Sequence, residues 1–163
     1  MFIMNFEENS ERFVDRGKHI NELADEFLIV CPRCSGQAKV LLDGNVEFNP
    51  ANHLFKPRKL VCTHCAFTEI WRKGTVYTNG NCDWYFRQPL WLEISCCGAR
   101  LWAYNLKHLE MLEDYVSAKL RERTQKGRSS FLSKLPQWIK SAKNRDEILK
   151  GIAKLRGKLN GKS

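Results

Sequence analysis

The sequence has no apolar run that approaches the roughly 18 residues of a membrane-spanning helix. It also lacks three motifs typical of enzymes: a glycine-rich phosphate loop, a recognisable pair of carboxylates and the H-E-x-x-H pattern. Residues 1–6 carry no basic group and lead directly into Glu7 and Glu8, which is not typical of a secretory signal. These absences predict a non-enzymatic protein of the cytoplasm.

Acidic residues are scarce in the last third of the chain. Residues 118–163 contain 14 lysines and arginines but only 3 acidic residues, whereas residues 1–117 contain 13 basic and 15 acidic residues. The net charge of +9 therefore belongs to the C-terminal third alone. This asymmetry favours a nucleic-acid or acidic-protein partner, and the alternative is a solvated helical surface.

Cysteine, in contrast, is plentiful, and four of the seven cysteines form two C-x-x-C pairs. The first pair is Cys-Pro-Arg-Cys at 31–34 and the second is Cys-Thr-His-Cys at 62–65, with 27 residues between them. Such a turn directs two sulfurs at one ion about 2.3 Å away, and two turns complete a tetrahedron. A zinc ion held by four thiolates has no position open for water, so we expect it to be structural. The predicted ligands are Cys31, Cys34, Cys62 and Cys65.

Two other interpretations of these cysteines stay open. Two disulfides, or two unrelated thiol pairs, would also be compatible with the count. A redox C-x-x-C is less favoured because no βαβ pattern surrounds either pair. His64, inside the second pair, could replace a cysteine ligand, although an exposed side chain at the tip of the turn is the favoured interpretation.

The two pairs resemble the knuckles of a zinc ribbon, and the resemblance covers about residues 27–72 with Pro32 in its usual place. Neither second cysteine is followed by the usual glycine, because Ser35 precedes Gly36 and Ala66 stands at the equivalent position. We therefore expect less regular knuckles. Zinc ribbons occur in transcription factors, polymerase subunits, topoisomerases, ribosomal proteins and protein-docking modules, so the resemblance implies a fold and leaves the function open.

The whole chain also resembles a set of small bacterial proteins described only as zinc-ribbon-containing. The shared tail is Leu-Pro-Gln-Trp at 135–138, followed by Ser-Ala-Lys-Asn-Arg at 141–145. This second resemblance implies no activity.

The periodicity of apolar residues predicts an α+β fold, in which a small antiparallel zinc-ribbon sheet precedes a basic helical C-terminal part. Residues 1–27 form an N-terminal segment with a helix over about Ser10–Ala24. Residues 28–104 form the β-core, to which a hairpin near 90–104 is expected to add strands. The apolar stripe of the last helix must pack on this protein's own sheet, on another copy or on a partner. The remaining residues, 105–163, form the basic tail, with helices near 105–124, 131–143 and 144–159.

The basic tail provides the main candidates for contact with a partner. Contacts of lysine and arginine with phosphate are independent of sequence and weaken strongly with salt. Part of the clustering also has a structural cause, since a helix C-terminus favours cations. The leading hypothesis is a nucleic-acid-binding module, and the alternative is a protein-interaction component (a subunit, antitoxin or immunity-type inhibitor) that docks through its amphipathic helices. The candidate nucleic-acid contacts are Lys119, Arg121, Arg123, Lys126, Arg128, Lys140, Lys143, Arg145, Lys150 and Lys154.

The remaining cysteines and the aromatic residues each have two interpretations. Cys82, Cys96 and Cys97 are expected to be ordinary thiols, because a second metal site would need a histidine such as His53, His64 or His108 as its fourth ligand. A nucleophilic Cys97 with His108 as its base is formally possible, but no surrounding motif supports it. The tryptophans and tyrosines are expected to form the core, with stacking on nucleic-acid bases as the alternative.

Overall fold

The computed structural model describes residues 12–123 and 130–161, and its mixed strands and helices confirm the predicted α+β fold. Within these residues the strands are β1 Arg12–Asp15, β2 Phe27–Val30, β3 Gln37–Leu42, β4 Arg58–Cys62, β5 Thr68–Trp71, β6 Leu92–Cys96, β7 Ala99–Ala103 and β8 Leu120–Arg123, and the α-helices are α1 Leu106–Ser117, α2 Gln137–Lys140 and α3 Arg145–Leu159.

An antiparallel sheet in the order β2-β3-β4-β5 carries both C-x-x-C pairs. Alternate residues of a strand face the same side, and Val40 lies opposite Leu60 on the inner side of this sheet. Both side chains are fully buried. Trp84 packs beneath this sheet with no exposed surface, and its Nε1 donates to the Tyr104 hydroxyl at 3.0 Å. We call β2–β5, together with the residues packed against it, the ribbon half.

The β6-β7 hairpin forms a separate two-stranded sheet and does not extend the ribbon sheet, contrary to the prediction. Its two-residue turn, Cys97-Gly98, has positive φ at both positions (53° and 73°), as a type I′ turn requires. Isolated backbone contacts nevertheless link this region to β2: Leu28 N donates to Tyr104 O at 2.8 Å, Val30 N to Pro89 O at 2.9 Å and Trp91 N to Leu28 O at 2.9 Å, and Ile29 and Leu90 form a single bridge. The hairpin is instead the surface on which the helices pack.

Helices α1 and α3 cover the hairpin and form a second hydrophobic core, which we call the helical half together with the hairpin. Ile148, Ile152 and Leu155 of α3 are at most 1% exposed and belong to this core. Gly151 allows the close approach, since a Cβ there would lie 3.2 Å from Leu101 Cδ2. The apolar stripe of α3 therefore packs on this protein's own hairpin, which settles the choice left open by the sequence.

The helix predicted over Ser10–Ala24 is wrong within the described residues. Strand β1 pairs in parallel with β8, and a 3-10 turn follows at Ile20–Leu23. Gly17 between them has a φ of 75°, which a right-handed helix cannot contain. The pairing with β8 joins residues more than 100 positions apart, so local periodicity could not indicate it.

The predicted helix over 105–124 ends early, at Ser117, because Ala118 is extended (ψ 131°) and β8 follows. The helix over 131–143 is also wrong: the one-turn helix α2 lies between 3-10 turns at Leu132–Lys134 and Ala142–Asn144. The last helix is confirmed as α3. Asn144 does not cap it with its side chain, since Asn144 Nδ2 donates to Trp138 O at 2.9 Å. The division of the chain at residues 27 and 104 stays a prediction.

Candidate metal centre

The two C-x-x-C turns have the same backbone construction. The first begins where β2 ends, and the N–H of Cys31 donates to Gly36 O at 2.7 Å. The second begins at the last residue of β4, where the N–H of Cys62 donates to Phe67 O at 2.9 Å. Each bond closes the chain over five residues, so each pair of sulfurs is held on a tight turn at the same end of the sheet.

Ser35 and Ala66 occupy the equivalent fourth position after the first cysteine of each turn, and both have left-handed backbone, with φ of 62° and 60°. This is the position at which a zinc ribbon usually carries glycine. A residue with a Cβ costs about 1–2 kcal/mol in this conformation. The turns are therefore alike despite the missing glycines, and the expectation of less regular knuckles is not confirmed.

The four predicted sulfurs come together. Cys31 Sγ lies 3.7 Å from Cys65 Sγ, and Cys34 Sγ lies 3.5 Å from Cys62 Sγ. All four sulfurs lie within 4.8 Å of one another. A tetrahedral ion with metal–sulfur bonds of about 2.3 Å requires sulfurs about 3.8 Å apart. The cluster thus has the donor atoms and the spacing of a tetrahedral thiolate metal centre.

The close packing of the sulfurs makes their acidities unequal. The N–H groups of Cys65 and His64 outweigh burial and lower the pKa of Cys62 to about 6. The N–H of Gly36 lowers the pKa of Cys34, but desolvation and the neighbouring thiols outweigh it and raise this pKa to about 12. Four thiolates packed together are stable only when a cation balances their charge, which is the role of a metal.

His64 is exposed and is not part of the sulfur cluster. Its ring lies over the first turn, where a Cβ on Gly36 would come within 3.0 Å of His64 Cδ2. The interpretation of His64 as a residue at the tip of the turn therefore agrees with its position.

The sequence did not indicate a buried pair of polar residues at the ribbon sheet, His53 and Arg58. His53 is fully buried although it follows an irregular loop, and its Nδ1 accepts from the Arg58 guanidinium at 2.6 Å. Arg58, also fully buried, donates to Ala24 O at 3.0 Å and lies 4.7 Å from the centre of the Tyr85 ring. Desolvation lowers the pKa of His53 and so does the charge of Arg58, which keeps the imidazole neutral as an acceptor. A lysine or arginine inside a strand gives no signal of such burial.

Three of the candidate nucleic-acid residues make internal hydrogen bonds, and two of them do so at the end of α1. The Arg121 guanidinium donates to Tyr115 O at 3.0 Å and to Lys140 O at 2.8 Å. The Arg145 guanidinium donates to Val116 O at 3.0 Å. Lys140 Nζ donates to Ser133 O at 2.6 Å. The carbonyls of a last helical turn lack partners within the helix, so the two arginines have a structural role there.

The other candidates lie elsewhere. Lys119, Lys143, Lys150 and Lys154 are exposed. Lys143, Lys150 and Lys154 make no ion pair with another described residue. Lys126 and Arg128, and the side chain of Arg123, lie outside what the structure describes.

The tryptophans belong mainly to the core. Trp84 is completely buried, and Trp71, Trp91, Trp102 and Trp138 are half-buried. Lys158 Nζ lies 4.8 Å from the centre of the Trp91 ring and covers it. These positions favour the interpretation of the tryptophans as core residues over stacking on bases.

No family model, curated protein or solved structure matches this chain. The geometry alone therefore indicates the class: four cysteines lie together at metal-binding distance, an arrangement compatible with a zinc-ribbon-like site. Within the described residues, no helix has the length and apolar character needed to cross a bilayer.

Proposed function

We propose that this protein is a non-enzymatic binding module of the cytoplasm, built around one structural Zn²⁺ in a zinc ribbon. The observation that supports zinc is the donor set, because four thiolates at tetrahedral spacing suit zinc better than calcium or magnesium, which take oxygen ligands. The ion has no catalytic role in this proposal, since sulfur fills all four of its coordination positions. The metal-free thiols would need a reducing compartment to stay available, which supports the cytoplasm.

We further propose that nucleic acid is the ligand and that the exposed side of α3 contacts its phosphates. The observation that carries this proposal is the position of Lys150 and Lys154, which lie one turn apart on the side of α3 opposite its buried stripe. Neither lysine makes an ion pair with another described residue, so both charges are available to an external anion. Lys143 precedes them at the start of the same region and is also exposed.

This proposal uses fewer contacts than the sequence indicated. The guanidinium groups of Arg121 and Arg145 donate to the end of α1, so the exposed lysines of α3 carry most of the proposed interaction. Each lysine that neutralises a phosphate adds about 0.7–0.9 to the slope of log affinity against log salt. We therefore expect moderate affinity with clear salt dependence and little preference for sequence.

Fluorescence anisotropy with labelled 20-nucleotide DNA and RNA, single- and double-stranded, tests this proposal across a salt series. Removal of two charges by Lys150→Gln with Lys154→Gln should lower the salt slope by about 1.5 and weaken binding. The matched control is Arg72→Gln with Lys73→Gln, which removes two exposed charges from the ribbon half. Equal losses in both double variants would show non-specific attraction to net charge, and unchanged binding in the first would exclude the α3 surface.

The alternative function, a protein-interaction component such as a subunit, antitoxin or immunity-type inhibitor, loses the surface first assigned to it. The apolar stripe of α3 is buried against the hairpin, and Leu109 and Leu112 of α1 are at most 2% exposed. A protein partner would therefore have to bind elsewhere. Co-purification that survives a high-salt wash would support this alternative, because apolar contacts do not weaken with salt as phosphate contacts do.

A further inference from the structure

A second cluster of metal-ligating side chains lies in the helical half. Cys96 is the last residue of β6, Cys97 is the first residue of the hairpin turn, and Glu147 is in the first turn of α3. The two sulfurs lie 3.6 Å apart, and Glu147 Oε1 accepts the N–H of Cys97 at 3.0 Å. One ligand atom from each residue lies within 4.8 Å of the other two.

The fold makes this arrangement possible in spite of sequence adjacency. Neighbouring residues of a strand direct their side chains to opposite faces, which would separate the two sulfurs. The left-handed φ of 53° at Cys97 breaks this alternation at the turn. On the other side, Gly151 lets α3 approach Cys96 so closely that a Cβ there would lie 3.6 Å from the sulfur. Glu147, one turn earlier on α3, is thereby brought to the same place.

We propose that Cys96, Cys97 and Glu147 bind a thiophilic divalent cation of the zinc and cadmium group, separately from the four-cysteine centre. Two sulfurs and one carboxylate oxygen are suitable ligands for such an ion, and hard ions such as Mg²⁺ and Ca²⁺ are disfavoured by the thiolates. Binding converts both thiols to thiolates and releases their two protons to solvent. Three protein ligands leave a fourth tetrahedral position for water or another small ligand.

This site differs from the second metal site that was considered from the sequence. That site required a histidine, whereas the cluster found among the described residues takes its third ligand from Glu147. His108 is committed elsewhere, because its Nδ1 accepts the N–H of Tyr104 at 3.1 Å. Cys82 is half-buried and is not part of either cysteine cluster, which makes it a suitable control.

The test uses the full chain loaded with one equivalent of Zn²⁺, so that the four-cysteine centre is occupied before Co²⁺ is added as a spectroscopic probe. We expect a second equivalent to bind with sulfur-to-cobalt charge-transfer absorption, without release of the first zinc. Cys97→Ser and Glu147→Gln should each weaken this binding by about tenfold or more, whereas Cys82→Ser should leave it unchanged.

The zinc content, measured for every variant, separates this inference from the proposed ribbon centre. A chain that retains no zinc before cobalt is added contradicts the four-cysteine assignment. The second site is then still tested by the effect of Cys97→Ser and Glu147→Gln on cobalt binding. Cobalt absorption that appears only as zinc is released, or that Cys97→Ser and Glu147→Gln leave unchanged, would overturn the second site. Circular dichroism equal to that of the unchanged chain confirms that each variant is folded.

Discussion

The ribbon half and the helical half are stabilised by different means. In the ribbon half, the outermost strand β5 is largely exposed, and the four-cysteine cluster joins strands that are distant in sequence. In the helical half, α1 and α3 bury a continuous set of leucine and isoleucine side chains against the β6-β7 hairpin. The ribbon half has an apolar core of its own around Trp84, but its thin sheet should depend in addition on a bound metal, whereas the packed helices depend on the burial of apolar surface. The two halves should therefore fail under different perturbations.

The largest effect is expected from loss of the metal. Cys34→Ser removes one ligand, and metal binding at structural zinc centres contributes on the order of 10 kcal/mol to folding. We expect ¹⁵N–¹H spectra in which the amides of β2–β5 collapse while those of α1 and α3 stay dispersed. Metal analysis should show loss of zinc in parallel. A folded, zinc-replete Cys34→Ser chain would contradict the assignment of the centre.

The converse perturbation acts on the helical half. Ile152 is 1% exposed, and Ile152→Ala should lower the free energy of unfolding by about 2–5 kcal/mol because it leaves a cavity under α3. Urea denaturation measures the loss, and zinc content should stay near one per chain. Leu106→Ala is the control, since Leu106 is 40% exposed and its truncation should cost much less. Equal losses at the two positions would mean that α3 is not packed as described.

A third effect acts on the helical half and is a loss of stability at low pH. Burial lowers the pKa of His108 to about 3, far below the value of about 6.5 expected in the unfolded chain. The unfolded chain therefore binds the additional proton between these values. The stability that His108 contributes is complete above about pH 6.5 and falls as the pH is lowered. Between pH 7.5 and 5.5 the loss should be about 1.4 kcal/mol.

His108→Gln isolates this contribution, because glutamine can still accept a hydrogen bond but does not titrate. Protonation of the cysteine ligands affects both chains equally and cancels in the comparison. Denaturant midpoints of the two chains, measured at pH 7.5 and 5.5, should converge as the pH falls. Parallel pH profiles would show that His108 is not buried as a neutral side chain.

The same contrast explains what the sequence could predict. The four-cysteine cluster was predictable because each C-x-x-C pair is local and sulfur has few other uses at that spacing. Helix α3 was predictable because its stripe repeats at helical spacing over several turns. The predictions failed where a distant partner determines the conformation: β1 is a strand because β8 lies beside it, and α1 ends where Arg121 and Arg145 bind its carbonyls.

Buried polar residues were the other source of error. Arg58 and His53 stabilise each other inside the protein, but each residue type is usually exposed, and their burial depends on Ala24 O and on the Tyr85 ring. The cluster of Cys96, Cys97 and Glu147 was missed because Glu147 is distant in sequence from the two cysteines. Its third member reaches the hairpin only after α3 has packed, and no local pattern links residues 97 and 147.

The smallest predicted effect has opposite signs in the two halves. Ala66 has a φ of 60° and is exposed, so Ala66→Gly should relieve about 1–2 kcal/mol of backbone strain at an entropic cost of about 0.5–1 kcal/mol. The net result is a gain of about 0.5–1 kcal/mol. Ala153 is exposed in the middle of α3, where Ala153→Gly should instead lose about 1 kcal/mol because the helix favours alanine. Paired thermal denaturation of the zinc-loaded variants measures both changes. Stability changes of the same sign in the two variants would show that position 66 does not have a left-handed backbone. That conformation is the reason why glycine should be favourable at position 66 and unfavourable at position 153.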